Sequence, residues 1–256
     1  RLNQALIKYS IDFMSDKGYT YVEPPVMINK ETLQGVTSYA DRSEMIYKVE
    51  GEDLYLIGTS EHSLIGMFIN QTIDHTKLPI RLAGYSLCFR KEVGSHGLDE
   101  KGIFRTHQFN KVEQIIICDP QYSMTYYNEL LDNSLEIMKS LGLAGRTLAI
   151  CAGDLGDMKH IQHDVEAWSP RKDDYFETGS CSNLTDNQSQ LLNIRIRHHD
   201  GNYFPHTLNN TACATSRMMV AILEQYQQKD GSVVIPEVLR RYMGGKKKIE
   251  KQEKLW

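Results

Sequence analysis

Apolar residues at helical spacing open the chain. Leu2, Leu6, Tyr9 and Phe13 predict a helix that buries one face and stops near Gly18. Residues 19–22 then read as a short strand, ended or held at a sheet edge by Pro24-Pro25, which lack ladder donors. Residues 31–50 are polar and mixed, a loop or small helices ending in a strand-like stretch at 45–49. Gly51-Glu52-Asp53 marks a turn, residues 54–57 a buried strand, and Thr59-Ser60-Glu61 the start of a helix. Two longer strand-like runs, 83–92 and 104–118, are separated by a glycine-containing, charged loop at 93–103.

Asp119-Pro120 caps a long helix that reaches about residue 141 and is stopped by Gly142, with Met124, Leu131, Leu135 and Met138 as its apolar stripe. Strands follow at 147–151, 165–168 and 175–183, then a short helical segment at 186–192. Residues 194–198 and 203–208 flank Asp200-Gly201, a hairpin signal. Successive strands with helices before and after, without βαβ alternation, predict an α+β fold with a mainly antiparallel sheet.

The stretch from Phe204 to Glu224 concentrates the chemistry. It reads as a strand, a polar hinge at Asn209, Asn210 and Thr211, and a buried helix on which Met218, Ala221 and Ile222 are spaced as core. Arg217 is placed about one and a half turns into that helix. An arginine on an apolar element needs an anion, either a structural carboxylate or a phosphate that accepts its rigid fork of donors. A second candidate surface lies on the two long strands. By strand period Arg90 and Glu92 share a face, as do Arg105, His107, Phe109, Lys111 and Glu113. This is either a solvated charged face or a purine-nucleotide site, with a ring to stack on, cations for phosphates and acceptors for amino groups. Thr59 is open between helix cap and ligand. Asp154, Asp157, His160 and His163 include metal-ligating residue types, but their spacing fixes no metal.

Composition narrows the class without naming a partner. The chain has 256 residues, 29 Lys+Arg and 33 Asp+Glu, so its net charge of −4 gives no global attraction to nucleic acid. Its 5 cysteines are scattered and form no CxxC pair, which fits a reducing compartment better than a disulfide framework. No apolar run approaches a membrane span, and the amphipathic opening differs from a signal peptide. A soluble, cytoplasmic protein is expected.

Taken in order, these segments resemble the catalytic domain of the class II aminoacyl-tRNA synthetases, and within them the seryl group, over nearly the whole chain. The opening helix, strand and Pro24-Pro25 resemble motif 1. Gly84-Tyr-Ser-Leu-Cys-Phe-Arg-Lys-Glu92 and Arg105-Thr-His-Gln-Phe-Asn-Lys-Val-Glu-Gln114 resemble motif 2, and Thr207 to Glu224 resembles motif 3. Ser180-Cys-Ser-Asn183 and the 227–244 segment are distinctive of the seryl group. The resemblance implies a catalytic domain over residues 1–245 followed by a basic tail at 246–256. It also implies a homodimer formed through motif 1.

For the site, the resemblance implies that Arg90 meets the α-phosphate of ATP and the amino acid carboxylate. Phe109 would stack on adenine with Glu92 near the base, and Arg105 and Arg217 would hold the β- and γ-phosphates. Glu177 and Ser180 match the Mg²⁺ positions. Thr59, Glu61, Arg90, Glu113, Asn209 and Thr211 would surround L-serine. Arg90 and Arg217 are the implied catalytic residues, and the implied activity is ATP-dependent activation of serine followed by transfer to tRNA(Ser).

Family members usually carry, ahead of this region, a long helical hairpin that grips the variable arm of tRNA. These residues show no extended heptads, so adenylate formation is expected and the transfer step is expected to be weakened or lost if the arm is absent. Gln190-Leu191 stand where the family commonly has a basic pair. Two related readings compete: an amino acid:carrier protein ligase, whose relatives hold zinc in the amino acid pocket and for which Cys213 is the nearest thiol, and a non-catalytic paralogue.

Overall fold

The computed structural model describes residues 1–38, 44–92 and 102–251. In chain order come α1 (Leu2–Asp16), β1 (Thr20–Val22), β2 (Met27–Ile28), α2 (Lys30–Val36), β3 (Tyr55–Leu56), α3 (Ser60–Gly66) and β4 (Thr72–Asp74). The long hairpin β5 (Ile80–Phe89) and β6 (Gln108–Cys118) precedes α4 (Ser123–Ser140), β7 (Gly145–Ala149), β8 (Ile161–Ser169) and β9 (Asp174–Asn183). The remainder is α5 (Asn187–Leu191), β10 (Arg195–His198), β11 (Gly201–Tyr203), β12 (His206–Ala214), α6 (Thr215–Tyr226), β13 (Val233–Val234) and β14 (Lys248–Ile249).

Seven strands form the central sheet in the order β1-β5-β6-β12-β9-β8-β7. Only the β1–β5 edge pairing is parallel; the others are antiparallel, as the α+β reading required. Because β6 and β12 are central, both of their faces are covered. Val112, Ile116, Cys118, Leu208 and Ala212 face a core shared with α1, α4 and α6, represented by Leu6, Leu130 and Ile222. Ile115 and Ile117 face the opposite core, with Leu33 of α2 and Leu64 of α3. Phe109, Lys111 and Glu113 continue this second row where it turns polar.

The helix ends follow local chemistry. At the end of α1 the Gly18 and Tyr19 amides return to the carbonyls of Ser15 and Met14 at 3.0 and 3.1 Å. Gly18 holds φ +84° there, which a side chain would resist. Gly142 closes α4 in the same way, through Lys139 and Met138. A different glycine brings α3 onto the sheet. A Cβ at Gly84 would lie 2.6 Å from Leu64 Cδ1 and 2.9 Å from Ser60 Oγ, so its absence lets the start of α3 approach β5 beside Glu113, the β6 residue paired with Gly84.

Polar side chains lock α4 to the sheet. Gln114 Nε2 donates to the Leu130 carbonyl and to Ser134 Oγ, both at 3.1 Å, and Asn133 Nδ2 donates to Gln114 Oε1 at 3.0 Å. From β12, Asn210 Nδ2 donates to the same Leu130 carbonyl and to Ser134 Oγ, at 2.7 and 2.8 Å. Ser134 Oγ in turn donates to the Thr211 carbonyl at 2.8 Å. All four side chains are buried.

Several sequence expectations are corrected. Segment 31–50 contains α2, capped by Asn29, whose side chain accepts from the Thr32 amide; within 45–49 only Lys48 makes a bridge, to Tyr55. Residues 39–43 and most of the 93–103 loop lie outside the described residues. Strands β5 and β6 stop at Phe89 and Gln108, so Arg90, Glu92, Arg105 and His107 are beyond the strand ends and their shared-face period does not apply; Glu92 has φ +53°. Asp119 caps a single 3₁₀ turn ahead of α4. On α4 Met124 is exposed, and the buried row runs through Tyr127, Leu130, Ser134 and Ile137, a row broken to the eye by its serine.

The proposed strand at 203–208 is interrupted at Phe204-Pro205, with β11 pairing to β10 and β12 joining the main sheet. No hinge separates β12 from α6. Asn209, Asn210 and Thr211 are buried strand residues, and Arg217 is the third residue of α6. Within 246–256, Lys248–Ile249 pairs with Val233–Val234. Replacing Ser134 with alanine leaves the Thr211 carbonyl without its donor and is expected to lower unfolding free energy by about 2 kcal/mol, measured by urea titration; no change would mean that the network does not secure α4.

Candidate active site

Two adjoining cavities open on the polar part of the β6 row. The larger, about 280 Å³, is walled by the start of α3, by Met45 and Ile46, and by Gly156 to Lys159 from the β7–β8 connection. The smaller, about 110 Å³, lies toward α6. Arg90, Lys111, Glu177 and Ser180 line both, so they form the shared wall.

The larger cavity gathers Thr59, Glu61, Arg90, Glu113 and Asn209, five of the six residues expected around an amino acid. Thr211, the sixth, lines the smaller cavity and reaches across by donating from Oγ1 to Glu113 Oε2 at 3.3 Å. Thr59 caps α3, its Oγ1 accepting from the Glu61 amide at 3.3 Å, and it also faces the cavity, so both readings of this residue hold geometrically.

Glu61 is held from the far side by Gln188, whose Nε2 donates to Oε1 at 2.7 Å while its own Oε1 accepts from Thr207 Oγ1 at 2.7 Å. Burial pushes the Glu61 carboxyl up to about 7; the nearby Glu113 charge adds to the rise, while Gln188, Lys111 and Lys159 oppose it. His62 beside it is pushed down to about 3 by burial, with Arg90 and Lys111 adding to the shift, so it is neutral.

The smaller cavity is lined by Arg90, Glu92, Arg105, Phe109, Glu177, Ser180 and Arg217, the full set expected for a nucleotide. Arg90 Cζ lies 5.5 Å from the centre of the Phe109 ring, and Arg90 Nε donates to the Gly58 carbonyl at 3.2 Å. Arg105 Nη1 pairs with Glu92 Oε2 at 2.7 Å, while its buried Nε makes no hydrogen bond among the described residues. Arg217 Nη1 contacts both the carbonyl and Oε2 of Glu177 at 3.0 Å, and its guanidinium lies over Phe104. The carboxylate reading of Arg217 is thus met by a residue that is itself part of the cavity wall. Glu177 and Ser180 contribute only oxygen donors, a set suited to a hard divalent cation that also takes phosphate oxygens.

Sequence reasoning placed Lys111 on the candidate surface, between Phe109 and Glu113 in the same strand period, but gave it no role, and it left Gln188, His62 and Lys159 out of the site. Gln188 and Lys159 come from elements whose place over the cavity only the tertiary structure supplies. Asp154, Asp157, His160 and His163 form no metal-sized cluster; among the described residues only His198, His199 and Asp200 bring His, Cys, Asp or Glu ligand atoms that close. Cys213 lines neither cavity: it is buried in the α1-side core, and burial raises its thiol to about 12.

An antiparallel sheet with an arginine-bearing hairpin and a strand-to-helix arginine is the core of a class II aminoacyl-tRNA synthetase. Residues 46–226 match the family model for the tRNA synthetase class II core domain (G, H, P, S and T). The serine–tRNA ligase of Thermoplasma volcanium is 49% identical over 244 residues, covering 95% of this chain and 55% of that protein. The crystal structure of Pyrococcus horikoshii seryl-tRNA synthetase complexed with ATP superposes with a TM-score of 0.96 at 46% identity, covering 98% of this chain and 57% of that one. The Naegleria fowleri cytoplasmic serine–tRNA ligase in complex with AMP gives a TM-score of 0.93 at 40% identity, covering 99% and 60% of the two chains. The chain belongs to the seryl-tRNA synthetase family, and it spans little more than half the length of these relatives.

The raised Glu61 carboxyl fixes a sign for pH dependence. The unfolded chain releases this proton near the ordinary glutamate value of 4.5 and the folded chain at about 7, so between these values the folded state binds more protons and stability falls as pH rises. Glu61→Gln is therefore expected to be more stable than wild type at pH 8, with the difference shrinking toward pH 5 in thermal melts. A difference independent of pH would contradict the burial of this charge.

Proposed function

We propose that this chain activates L-serine with ATP. The serine carboxylate attacks the α-phosphorus, seryl-adenylate forms, pyrophosphate leaves, and the seryl group then passes to the 3′ end of tRNA(Ser). The observation that carries this reading is the wall shared by a carboxylate-bearing cavity and a cavity of arginines around Phe109. Its membership in a family whose members include the ATP-complexed Pyrococcus protein supports the same assignment.

The carboxylate nucleophile needs no general base, so the protein's part is positioning and charge stabilisation. Arg90, on the shared wall, touches both the amino acid carboxylate and the α-phosphate. Arg105 and Arg217 leave their carboxylate partners in part to hold the outer phosphates, with Phe109 stacked on adenine and Glu92 at the base. In the larger cavity Glu61 and Thr59 take the ammonium, and Glu113, Asn209 and Thr211 complete the serine pocket. Glu177 and Ser180 would hold Mg²⁺, which supplies charge neutralisation to the phosphates when bound.

Residues 1–245 form the catalytic domain in this reading. Two copies pair through α1 and β1, where β1 is the sheet's edge and Tyr21 is exposed. No helix among the described residues is long and apolar enough to cross a membrane, which fits work in the cytoplasm. The transfer step depends on the whole protein.

The test is amino-acid-dependent ATP–pyrophosphate exchange with Mg²⁺ on the intact protein. Exchange with serine is expected, and Arg90→Ala should lower it by roughly 10²–10³-fold with folding retained. Exchange with alanine or glycine on a zinc-containing sample would point instead to a carrier-protein ligase. A folded protein inactive with every amino acid would mark a non-catalytic paralogue.

A further inference from the structure

Two carboxylates of the larger cavity, Glu113 and Glu61, are each tied by one oxygen to buried partners from the protein. Glu113 Oε2 receives Lys111 Nζ at 2.7 Å and Thr211 Oγ1 at 3.3 Å, while Glu61 Oε1 receives Gln188. Lys111 is an unusual partner. Its side chain is 8% exposed and that of Glu113 2%, so this is a buried ion pair on one face of one strand, with Lys111 in the wall of both cavities and Glu113 in that of the larger. Such a pair costs desolvation, and a hydrophobic pair of the same size would serve packing at least as well.

We propose that Lys111 is the positioning residue that sets which amino acid side chain the site accepts, by clamping Oε2 of Glu113 and leaving Oε1 to a hydroxyl on the substrate. This rests on the serine-activation reading. A carboxylate held in one rotamer by a charge and a hydroxyl offers a fixed acceptor, and a substrate lacking the hydroxyl leaves that acceptor unpaired in a buried site. Thr211, directly opposite Glu113 in the β6–β12 register, supplies the second tether from the neighbouring strand.

Lys111 has a second effect, on the neighbouring carboxylate. The groups acting on Glu61 are Glu113 and Lys111 from β6, Gln188 from α5 and Lys159 ahead of β8. Lys111 is among those that favour the ionised Glu61, the form that pairs with a substrate ammonium. One buried cation therefore orients the hydroxyl reader and assists the ammonium reader.

The experiment is ATP–pyrophosphate exchange by the intact wild-type protein and Lys111→Met, with serine and alanine as substrates, across pH 6–9. Loss of the clamp should raise the serine KM and lower the serine-to-alanine ratio of kcat/KM, each by roughly 10- to 100-fold, with a smaller fall in kcat. The pH above which the serine KM levels off should also move to the alkaline side, because Glu61 has lost a cation. A merely structural role would lower the melting temperature and leave selection and pH profile in place.

If Lys111→Met does not fold, Lys111→Gln, which keeps a donor without the charge, should retain part of the selectivity and still show the alkaline displacement. An active variant with unchanged serine-to-alanine ratio and unchanged pH profile would overturn the proposal. So would a change confined to kcat and the KM for ATP, which would make Lys111 a phosphate cation. Wild type that fails to exchange with serine would overturn the serine reading and this inference together, a failure distinct from one seen only in the variants.

Discussion

The site depends on polar contacts made on the opposite side of the sheet from its cavities. Gln114 and Asn210 are buried against α4, where the Leu130 carbonyl and Ser134 Oγ accept from both and Asn133 donates to Gln114, while Asn210 Oδ1 makes no hydrogen bond among the described residues. Buried amides cannot slide along a helix as apolar side chains can, because each displaced donor would lose its partner inside the protein. Side chains alternate along a strand, so turning Gln114 and Asn210 toward α4 turns Glu113 and Thr211 toward the cavities. The network thereby sets the register of β6 against β12, and that register places Glu113 opposite Thr211.

Three cations of the cavity walls are paired with carboxylates. Arg105 rests on Glu92 and Arg217 on Glu177, while Lys111 rests on Glu113. The two arginine pairs are partly open to solvent, where an ion pair is worth little and an incoming anion competes on favourable terms. The lysine pair is closed off, and breaking it would strand a buried charge. Exchangeable and permanent pairs thus divide along the line between the groups proposed to face phosphate and those proposed to read the amino acid side chain.

Much of this was legible in the sequence where one element decides the outcome. The opening helix, its end at Gly18, the long helix ending at Gly142 and the order of strands β7 to β9 follow from local period and turn chemistry. The same logic failed at β12. Asn209-Asn210-Thr211 looks like a polar hinge because polar residues prefer turns, but here the centre of a two-faced sheet buries them and other elements supply their partners. On α4 the predicted stripe holds for Met138 and for Leu131 and Leu135, which pack against the core, and fails at Met124; the most deeply buried row escaped notice because Ser134 belongs to it. The residues that resemblance to a family grouped together line the two adjoining cavities, whereas strand period has no hold on Arg90, Glu92 and Arg105, which lie past the strand ends. Gln188 and Lys159 carry no local sign of their position, which arises only when α5 and the β7–β8 connection close over the sheet.

One irregularity in β12 has a chemical consequence. Thr211 pairs with Glu113 and Cys213 with Val112, so Ala212 is an extra residue in the ladder and the side-chain alternation skips a beat. With regular alternation the row of Thr207, Asn209 and Thr211 would continue with Cys213, and a thiol would stand beside the seryl-adenylate, a mixed anhydride, of the proposed reaction. Sulfur nucleophiles open such anhydrides to thioesters. The bulge carries the sulfur into the hydrocarbon core instead, where its raised pKa keeps it protonated. In the proposed reaction, a single inserted residue thus insulates the activated acyl group from the protein's own cysteine.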